Sequence, residues 1–120
     1  EVPLLAYSPL AQGYLTGKYR NGALPAGSRK TLFNRLQRYE TPGADVAYEA
    51  YFRLAADIGV SPATLALAFV NSRSFVASNI IGATTMAQLE ECLSSVNVKL
   101  DAAALARIDE IHQLHMNPCP

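Results

Sequence analysis

The sequence predicts an α/β fold built on a parallel sheet, and three observations lead to that prediction. Two short apolar runs with the composition of strands lie at residues 2–7 and 79–82. Helical patterns separate the two runs. Further helical patterns follow the second run, so strands and helices alternate along the chain. Alternation of this kind implies right-handed crossover connections and parallel strands.

The two strand runs predict a sheet that is too small to stand alone. Residues 2–7 form a continuous apolar run, as in a buried strand, with Pro3 near the start, where a missing N–H is tolerated. Two strands cannot close a sheet or bury both of its faces. We therefore expect the chain to be a single portion, residues 1–120, of a larger domain. A first residue, Glu1, that is not Met and a strand at the very start favour a chain that has lost its beginning.

The first two of four predicted helices have clear start signals. Thr41 is the expected N-cap of the first helix, Pro42 its first helical residue, and Gly59 its stop. The second helix starts in the same way at Ser61, which Pro62 follows. Its body is apolar nearly all round, so we expect it to be buried on most sides.

The last two helices are predicted from their caps. A capping box from Thr85 to Gln88 precedes a helix over residues 89–96. Asp101 is the expected N-cap of a final helix that extends to about residue 115, with Leu100 and Leu105 as its hydrophobic staple.

Residues 8–41 show no sustained period and are rich in Gly, Pro, Ser and Arg. A loop of this length inside a compact domain is usually functional or mobile. Within it we expect one short helical turn, at residues 15–19.

Composition narrows the class of protein. Half of the 120 residues are hydrophobic and 17% are charged, below the roughly 25% of an average soluble domain. This predicts surfaces that face other protein. A net charge of zero gives no attraction to nucleic acid or to an anionic membrane, and neither is an expected partner. Two cysteines without CxxC spacing favour reduced thiols in a cytoplasmic protein.

The first candidate ligand loop, residues 7–19, follows the first strand. Ligands of parallel sheets bind outside the carboxyl ends of the strands. This loop offers the Ser8 hydroxyl, glycines that let backbone N–H groups approach a ligand, and the Lys18 cation, which together suit a phosphate. Arg29 could add a fork of donors. On the residues alone, Ser8 could simply end a strand, and both cations could be ordinary solvated charges.

The second candidate loop, residues 82–88, joins a strand end to a helix N-terminus. Free N–H groups and the helix dipole favour an anion there. In (β/α)8 barrels the loops after the last two strands are a frequent phosphate site. Gln88 is explained by the capping box alone, and Glu91 by an exposed helix surface.

Three other patterns are given a structural interpretation. The segment from Gly13 to Tyr19 has neither the glycine spacing of a P-loop nor its Ser or Thr after the lysine. His112, His115 and Cys119 lack a further ligand, so no metal site is expected. Tyr48 and Tyr51 are interpreted as packing residues.

At the two loops the sequence resembles the aldo-keto reductases. Ala6-Tyr7-Ser8-Pro9-Leu10, with Gly13 and Thr16-Gly17-Lys18-Tyr19, is similar to the family's strand 7 and the loop after it. Ile80-Ile81-Gly82-Ala83-Thr84, with Gln88 and Glu90-Glu91, is similar to strand 8 and its helix. Ser61-Pro62-Ala63 and the apolar helix body match the helix between them. Residues 29–33 and 75–78 resemble the bacterial Tas-type members most closely.

The resemblance covers the whole chain and implies its place in a fold. That place is the C-terminal portion of a (β/α)8 TIM barrel, comprising strands 7 and 8, their helices and the C-terminal helix. The missing N-terminal part of the same barrel would then be a partner of this chain.

The resemblance also implies roles for single residues in binding NADP(H). Tyr7 would stack on the nicotinamide ring, and Glu91 would reach the adenine amino group. Cys92 stands where the family usually has Asn, which weakens the adenine contact. The residues expected at the pyrophosphate are Ser8, Leu10, Gln12, Gly13, Lys18 and Arg29. Those expected at the 2′-phosphate are Gly82, Thr84 and Gln88.

The function implied is the reduction of aldehydes or ketones with NADPH, with a small carbonyl compound as substrate. The family's catalytic Tyr, Asp, Lys and His lie in the N-terminal half of the barrel, so no catalytic residue is expected here. Two alternatives stay open: an NADP(H)-binding regulatory or sensor module, and an inactive truncated or proteolysed product. The isolated 120 residues are expected to be inactive and to bind NADPH weakly.

Overall fold

The computed structural model describes residues 2–35 and 37–119, which form two strands and five α-helices with short 3-10 helices between them. The 3-10 helices span Ala11–Thr16, Arg20–Gly22, Gln37–Tyr39 and Ser95–Asn97. The strands and α-helices in chain order are β1 (Leu4–Tyr7), α1 (Arg29–Phe33), α2 (Ala44–Asp57), α3 (Pro62–Asn71), β2 (Val76–Ile80), α4 (Met86–Ser94) and α5 (Ala102–Leu114).

The two strands pair in parallel, which confirms the predicted α/β architecture. Leu4 lies opposite Val76 and Tyr7 opposite Ile80, with one irregularity just after Leu4. The second strand begins and ends earlier than the predicted residues 79–82. Its first part, Val76-Ala77-Ser78, was missed because alanine and serine have little preference for strands. Pairing with β1, which begins where the Leu4 N–H donates to the Phe75 carbonyl at 2.8 Å, sets the actual start.

The first strand is not buried in this chain, so that prediction is wrong for the described residues. The side chain of Leu5 is 60% exposed and that of Tyr7 is 72% exposed. The physical reason is that β1 has β2 as its single strand neighbour. The apolar composition of the run is that of a strand covered on both faces, and the described residues cover neither completely.

Helix α2 begins later than predicted. Its N-cap is Gly43, at φ 84°, and no side chain caps it. Thr41, the predicted cap, instead donates its hydroxyl hydrogen to the carbonyl of Pro118. A tail contact therefore takes the group that would have capped the helix. The predicted stop is confirmed, because Gly59 adopts φ 75° just beyond the helix end.

The other helices follow their predicted caps closely. Ser61 accepts a hydrogen bond from the Thr64 N–H at the start of α3, and Asp101 accepts one from Ala104 at the start of α5. Helix α4 begins at Met86, before the predicted residue 89. Its capping box is only half formed, since Thr85 accepts from the Gln88 N–H but Gln88 turns to Thr84.

Residues 8–35 and 37–41 contain three 3-10 helices and the short helix α1, where a loop without regular structure was predicted. The expected turn at residues 15–19 lies earlier, at Ala11–Thr16. These helices are too short to produce a detectable period in the sequence. Their positions depend on tertiary contacts with α2.

The core of the described chain consists of two clusters. One joins α2, α3 and α5 through Leu54, Ala55, Leu65 and Ile108. The other packs the first loop on α2 through aromatic side chains. No single helix among the described residues has both the length and the apolar character needed to cross a bilayer. Helices α2 and α3 meet such criteria only as a pair bent by 90°.

Candidate functional site

The backbone of the first loop is held in an unusual conformation. Ser8, Ala11 and Gln12 have positive φ angles of 56°, 48° and 55°. Non-glycine residues adopt this region rarely and at a cost of about 1–3 kcal/mol each, and such residues cluster at ligand sites. No sequence pattern predicts this feature, because glycine is the usual residue at a left-handed backbone position and none of these three residues is glycine.

Gly13 makes room for the Lys18 side chain. A Cβ atom on Gly13, whose φ is 107°, would contact Lys18 Cε and lie 2.9 Å from its Nζ. The Gly13 N–H itself donates to the Leu10 carbonyl at 2.9 Å. The site therefore uses the space that the glycine leaves, rather than its N–H group as the sequence suggested. The lysine ammonium lies 5.2 Å from the centre of the Tyr19 ring.

Aromatic packing fixes the first loop on α2. The Tyr14 ring stacks on Tyr48 with centroids 5.6 Å apart and lies 4.9 Å from Tyr19. Tyr48 in turn stacks on Phe52 at 6.5 Å. The prediction that Tyr48 and Tyr51 are packing residues is confirmed, since Tyr48 is buried here and Tyr51 packs on the other cluster.

An ionic network ties the first loop to the covering segment, which we define as residues 20–35 and 37–41. Glu40 accepts a hydrogen bond from the Tyr14 hydroxyl and forms an ion pair with Lys30. The Lys30 ammonium lowers the pKa of the Glu40 carboxyl. Glu40 in return raises the pKa of Lys30. Burial is the main cause that raises the pKa of Tyr14.

The covering segment presents one predicted phosphate ligand to solvent. Arg29 is the first residue of α1 and is exposed. Its neighbour Lys30 donates its backbone N–H to the Tyr19 hydroxyl at 3.2 Å. The side chain of Lys30 is engaged by Glu40, so the lysine fixes the segment while the adjacent arginine remains accessible to a ligand.

The second loop is organised by Gln88. Its Oε1 accepts hydrogen bonds from the backbone N–H and the hydroxyl of Thr84, at 2.9 and 3.0 Å. Gly82 faces open space. These two hydrogen bonds hold Thr84 beside the first turn of α4. The dipole of a helix favours an anion at such an N-terminus. Gln88 as a whole is exposed.

Glu91 and Cys92 both contact other parts of the protein. Glu91 accepts a hydrogen bond from the Ser61 hydroxyl at 2.5 Å, which joins α4 to the N-terminus of α3. Cys92 is buried, and burial is the main cause that raises its pKa. Cys92 and Cys119 are free thiols.

The two loops leave the same edge of the sheet. Tyr7 and Ile80 are opposite each other at the strand ends, and the loops begin directly after them. Neighbouring strands lie about 4.8 Å apart, so Ser8 and the Gly82 turn start side by side. Lys18 lies in the first loop and is half-buried, Arg29 is exposed in α1, and the second loop ends at the N-terminus of α4.

The sequence missed the residues that hold the loops in place. Among the described residues these are Tyr14, Tyr19, Lys30 and Glu40. Tyr19 and Lys30 lie in segments that resemble the family, but only the fold shows that they contact Tyr14 and that Glu40 pairs with Lys30. The predicted residues Leu10 and Gln12 do lie in the first loop, at its 3-10 helix, and both are half-buried.

A hollow lined mostly by apolar side chains lies between the first loop and helices α2, α3 and α5. It measures about 450 Å³ and is bordered by Leu15, Tyr51, Leu65 and Phe69. A dinucleotide needs several polar and cationic partners, and besides Tyr51 this lining contains only Asp109 and His112 as ionisable residues. In the part of the chain that the structure describes, no three His, Cys, Asp or Glu side chains are grouped to hold a metal ion.

Comparison with known proteins relates the whole chain to one family. The model of the aldo/keto reductase family matches residues 1–113. Protein tas of Escherichia coli is 49% identical over 119 residues, which are 99% of this chain and 34% of that protein. A probable voltage-gated potassium channel subunit beta of Arabidopsis thaliana is 36% identical over 93% of this chain and 36% of its own length.

A relative whose name states a reaction is also similar to this chain. The L-glyceraldehyde 3-phosphate reductase of E. coli is 36% identical over 91% of this chain and 33% of its own length. The chain thus spans about a third of the curated relatives it matches. Because the family model covers nearly all of the sequence, this α/β chain with its two parallel strands belongs to the aldo/keto reductase family.

Proposed function

We propose that this chain forms the C-terminal portion of a (β/α)8 barrel, with β1 and β2 as strands 7 and 8. Family membership and the parallel pairing of two strands around a helical crossover support this assignment. The exposed apolar side chains of both strands support it as well, since Leu5 and Ile80 would be covered by the rest of a barrel. Two free cysteines agree with a cytoplasmic protein.

The proposed ligand is NADP(H), bound across the two loops. The pyrophosphate would lie at the first loop, against Ser8 and Lys18, with Arg29 reaching in from the covering segment. The 2′-phosphate would lie at Thr84 and Gln88, at the N-terminus of α4. Tyr7 stands exposed at the end of β1, where an aromatic ring can stack on a nicotinamide. Glu91 would contact the adenine with a carboxylate that also accepts a hydrogen bond from the Ser61 hydroxyl.

The proposed activity is the reduction of aldehydes or ketones by the complete barrel. NADPH supplies the hydride in such a reaction. The residues of this chain contribute binding and orientation: Lys18 and Arg29 neutralise phosphate charge, and Tyr7 fixes the plane of the nicotinamide. The proton donor to the carbonyl oxygen would belong to the other part of the barrel.

The observation that carries the proposal is the common edge from which the two loops leave. Lys18 of the first loop, Arg29 of the covering segment and the N-terminus of α4 would together bind the phosphates of one dinucleotide. The direct test is NADPH oxidation by the full-length protein with a panel of reactive aldehydes and ketones. Absence of NADPH binding in a fluorescence titration would exclude both the ligand and the activity.

Replacement of Gln88 by glutamate tests the assignment of the 2′-phosphate. The variant keeps an oxygen that accepts from the Thr84 N–H but places a negative charge beside the phosphate. We expect NADPH affinity to fall about tenfold or more, with little change for NADH, since one tenfold step needs only about 1.4 kcal/mol. Fluorescence titration with both nucleotides measures it. Equal losses for NADH and NADPH would contradict the assignment.

A second candidate function is an NADP(H)-binding sensor. The similarity to a probable voltage-gated potassium channel subunit beta favours it. A sensor would retain NADPH tightly and turn it over slowly on every carbonyl compound. A reductase would show rapid turnover on at least one of them. Single-turnover and steady-state rates measured on the same sample separate the two functions.

A further inference from the structure

We propose that the C-terminal tail, residues 116–119, is a strap that fastens the covering segment and slows the release of a bound dinucleotide. The proposal rests on the proposed NADP(H) site. It gives a role at that site to the residues that follow α5 in the sequence. Neither the two loops nor the family assignment gives them such a role.

The tail returns to the body of the protein after α5. The chain reverses at Asn117, whose φ is 49°, and Pro118 accepts a hydrogen bond from the Thr41 hydroxyl. Cys119 packs against the aromatic cluster. These contacts join residues more than 70 positions apart in the sequence.

One hydroxyl joins the tail to the covering segment. The Tyr48 hydroxyl donates to the Tyr39 carbonyl at 2.9 Å and lies 3.2 Å from Cys119 Sγ. A tyrosine hydroxyl has a single hydrogen, so the Cys119 thiol is the donor in the second contact. The tail and the end of the covering segment are thus held by the same buried side chain.

The held end of the segment connects directly to the proposed ligand groups. Glu40 follows Tyr39 and forms its ion pair with Lys30, and Lys30 is the neighbour of Arg29. Glu40 also accepts from Tyr14 of the first loop. If the tail is released, Thr41 at the end of the segment loses its contacts with Pro118 and Cys119, and the arginine has more freedom to leave the phosphates.

The strap is expected to act on release rather than on hydride transfer. None of its residues lies at the sheet edge where the ligand would bind. Opening the strap should raise the dissociation rate constant of NADPH and leave the single-turnover rate at saturating NADPH unchanged.

The experiment uses the full-length protein with NADPH as the probe. Two variants open the strap: Thr41→Val, which removes the donor to Pro118, and a deletion of residues 117–120. Met116→Ala is the matched control, since Met116 is an exposed tail residue. Stopped-flow displacement gives the release rate. We expect release to be about threefold to tenfold faster in both strap variants and unchanged in the control, as for the loss of one or two hydrogen bonds.

Hydrogen exchange of the ligand-free protein provides a second measurement. In the deletion variant, exchange should accelerate at residues 37–41 and at Lys30, while α3 stays protected. Wild-type release rates in both strap variants, or unchanged exchange in the covering segment, would overturn the strap. A wild-type protein that binds no NADPH would overturn the dinucleotide site and the strap's effect on release, whereas the exchange result would still decide the fastening itself.

Discussion

Gly13 controls where the Lys18 ammonium lies in the first loop. Two separate properties of the glycine are used there. Its φ of 107° lies in a region that residues with a side chain rarely adopt, and its missing Cβ leaves the volume that Lys18 occupies. The two properties can be separated experimentally, because Gly22 has a similar positive φ of 74° with no atom nearby.

Replacement of Gly13 by alanine is expected to displace Lys18 and weaken NADPH binding. Stability should fall by about 1–3 kcal/mol from backbone strain, with little further loss from the clash because the end of the flexible Lys18 side chain can move away. Gly22→Ala should show only the loss from strain and should bind NADPH as the wild type does. Urea denaturation and fluorescence titration of the full-length variants measure both effects. Equal NADPH affinity in the two variants would show that Lys18 is not a ligand.

Tyr48 should make stability depend on alkaline pH. Burial, and then the hydrogen bond with Cys119, raise the pKa of Tyr48 above its usual value of about 10. The unfolded chain therefore releases this proton at a lower pH than the folded chain does. Stability from this group is complete below about pH 10 and is lost as the pH rises further.

The variant Tyr48→Phe isolates that contribution. We expect wild-type stability to fall more steeply than that of the variant between pH 9 and 11, even though the variant is less stable at pH 8. Denaturant midpoints at several pH values give the comparison. Parallel curves for the two proteins would mean that Tyr48 ionises equally easily in both states.

Single residues of the site were predictable to the extent that they carry a recognisable group. Ser8 and Lys18 were singled out because a hydroxyl and a cation after a strand suit phosphate, and Thr84 through the family resemblance, and their contact with a ligand stays a prediction. Ala11 and Glu40 were not singled out, since one acts through a strained backbone and the other through contacts with residues distant in sequence. Their roles depend on tertiary packing, which no local pattern encodes.

At the scale of elements, Ser61 links two helices with one hydroxyl. It accepts from the Thr64 N–H as the N-cap of α3 and donates to the carboxylate of Glu91 in α4. Thr85 caps α4 in the same way but donates to no described carboxylate. Ser61 is therefore a helix cap that also connects two helices, and Thr85 is a helix cap that does not. Comparing the two residues isolates the effect of the connection.

Ser61→Ala should cost more stability than Thr85→Ala. Loss of a cap costs about 1 kcal/mol, and Ser61→Ala also leaves the half-buried Glu91 carboxylate without this donor. A double-mutant cycle with Glu91→Gln measures the connection, and we expect a coupling energy of about 0.5–1.5 kcal/mol. Purely additive free energies would show that the contact contributes nothing to stability.

The elements themselves were largely predictable from their ends. Ser61-Pro62 and Asp101 marked the starts of α3 and α5 correctly, because a cap is a local interaction. The start of α2 was wrong because the tail takes the hydroxyl of Thr41. The parallel pairing followed from the alternation of elements, while the exact bounds of β2 depended on its partner strand.

At the scale of the whole molecule, the apolar side chains of the sheet are exposed. The composition of the sequence indicated such surfaces without locating them. Few charges predicted surfaces that face protein, and Leu4, Leu5 and Ile80 are indeed exposed in the described chain. Exposed apolar side chains on a sheet of only two described strands favour association. A barrel would cover the same surface with its other strands.

Replacement of Leu5 by lysine should therefore have opposite effects in two settings. In the isolated 120-residue chain, where Leu5 is largely exposed, the charge should cost little stability and reduce self-association and dye binding. In the full-length protein the same lysine would be buried in the barrel and should destabilise it by several kcal/mol. Val46→Lys, at an exposed position of α2, is the control and should be mild in both. Light scattering and urea denaturation provide the measurements, and a mild effect of Leu5→Lys in the full-length protein would contradict the assignment of β1 to a closed barrel.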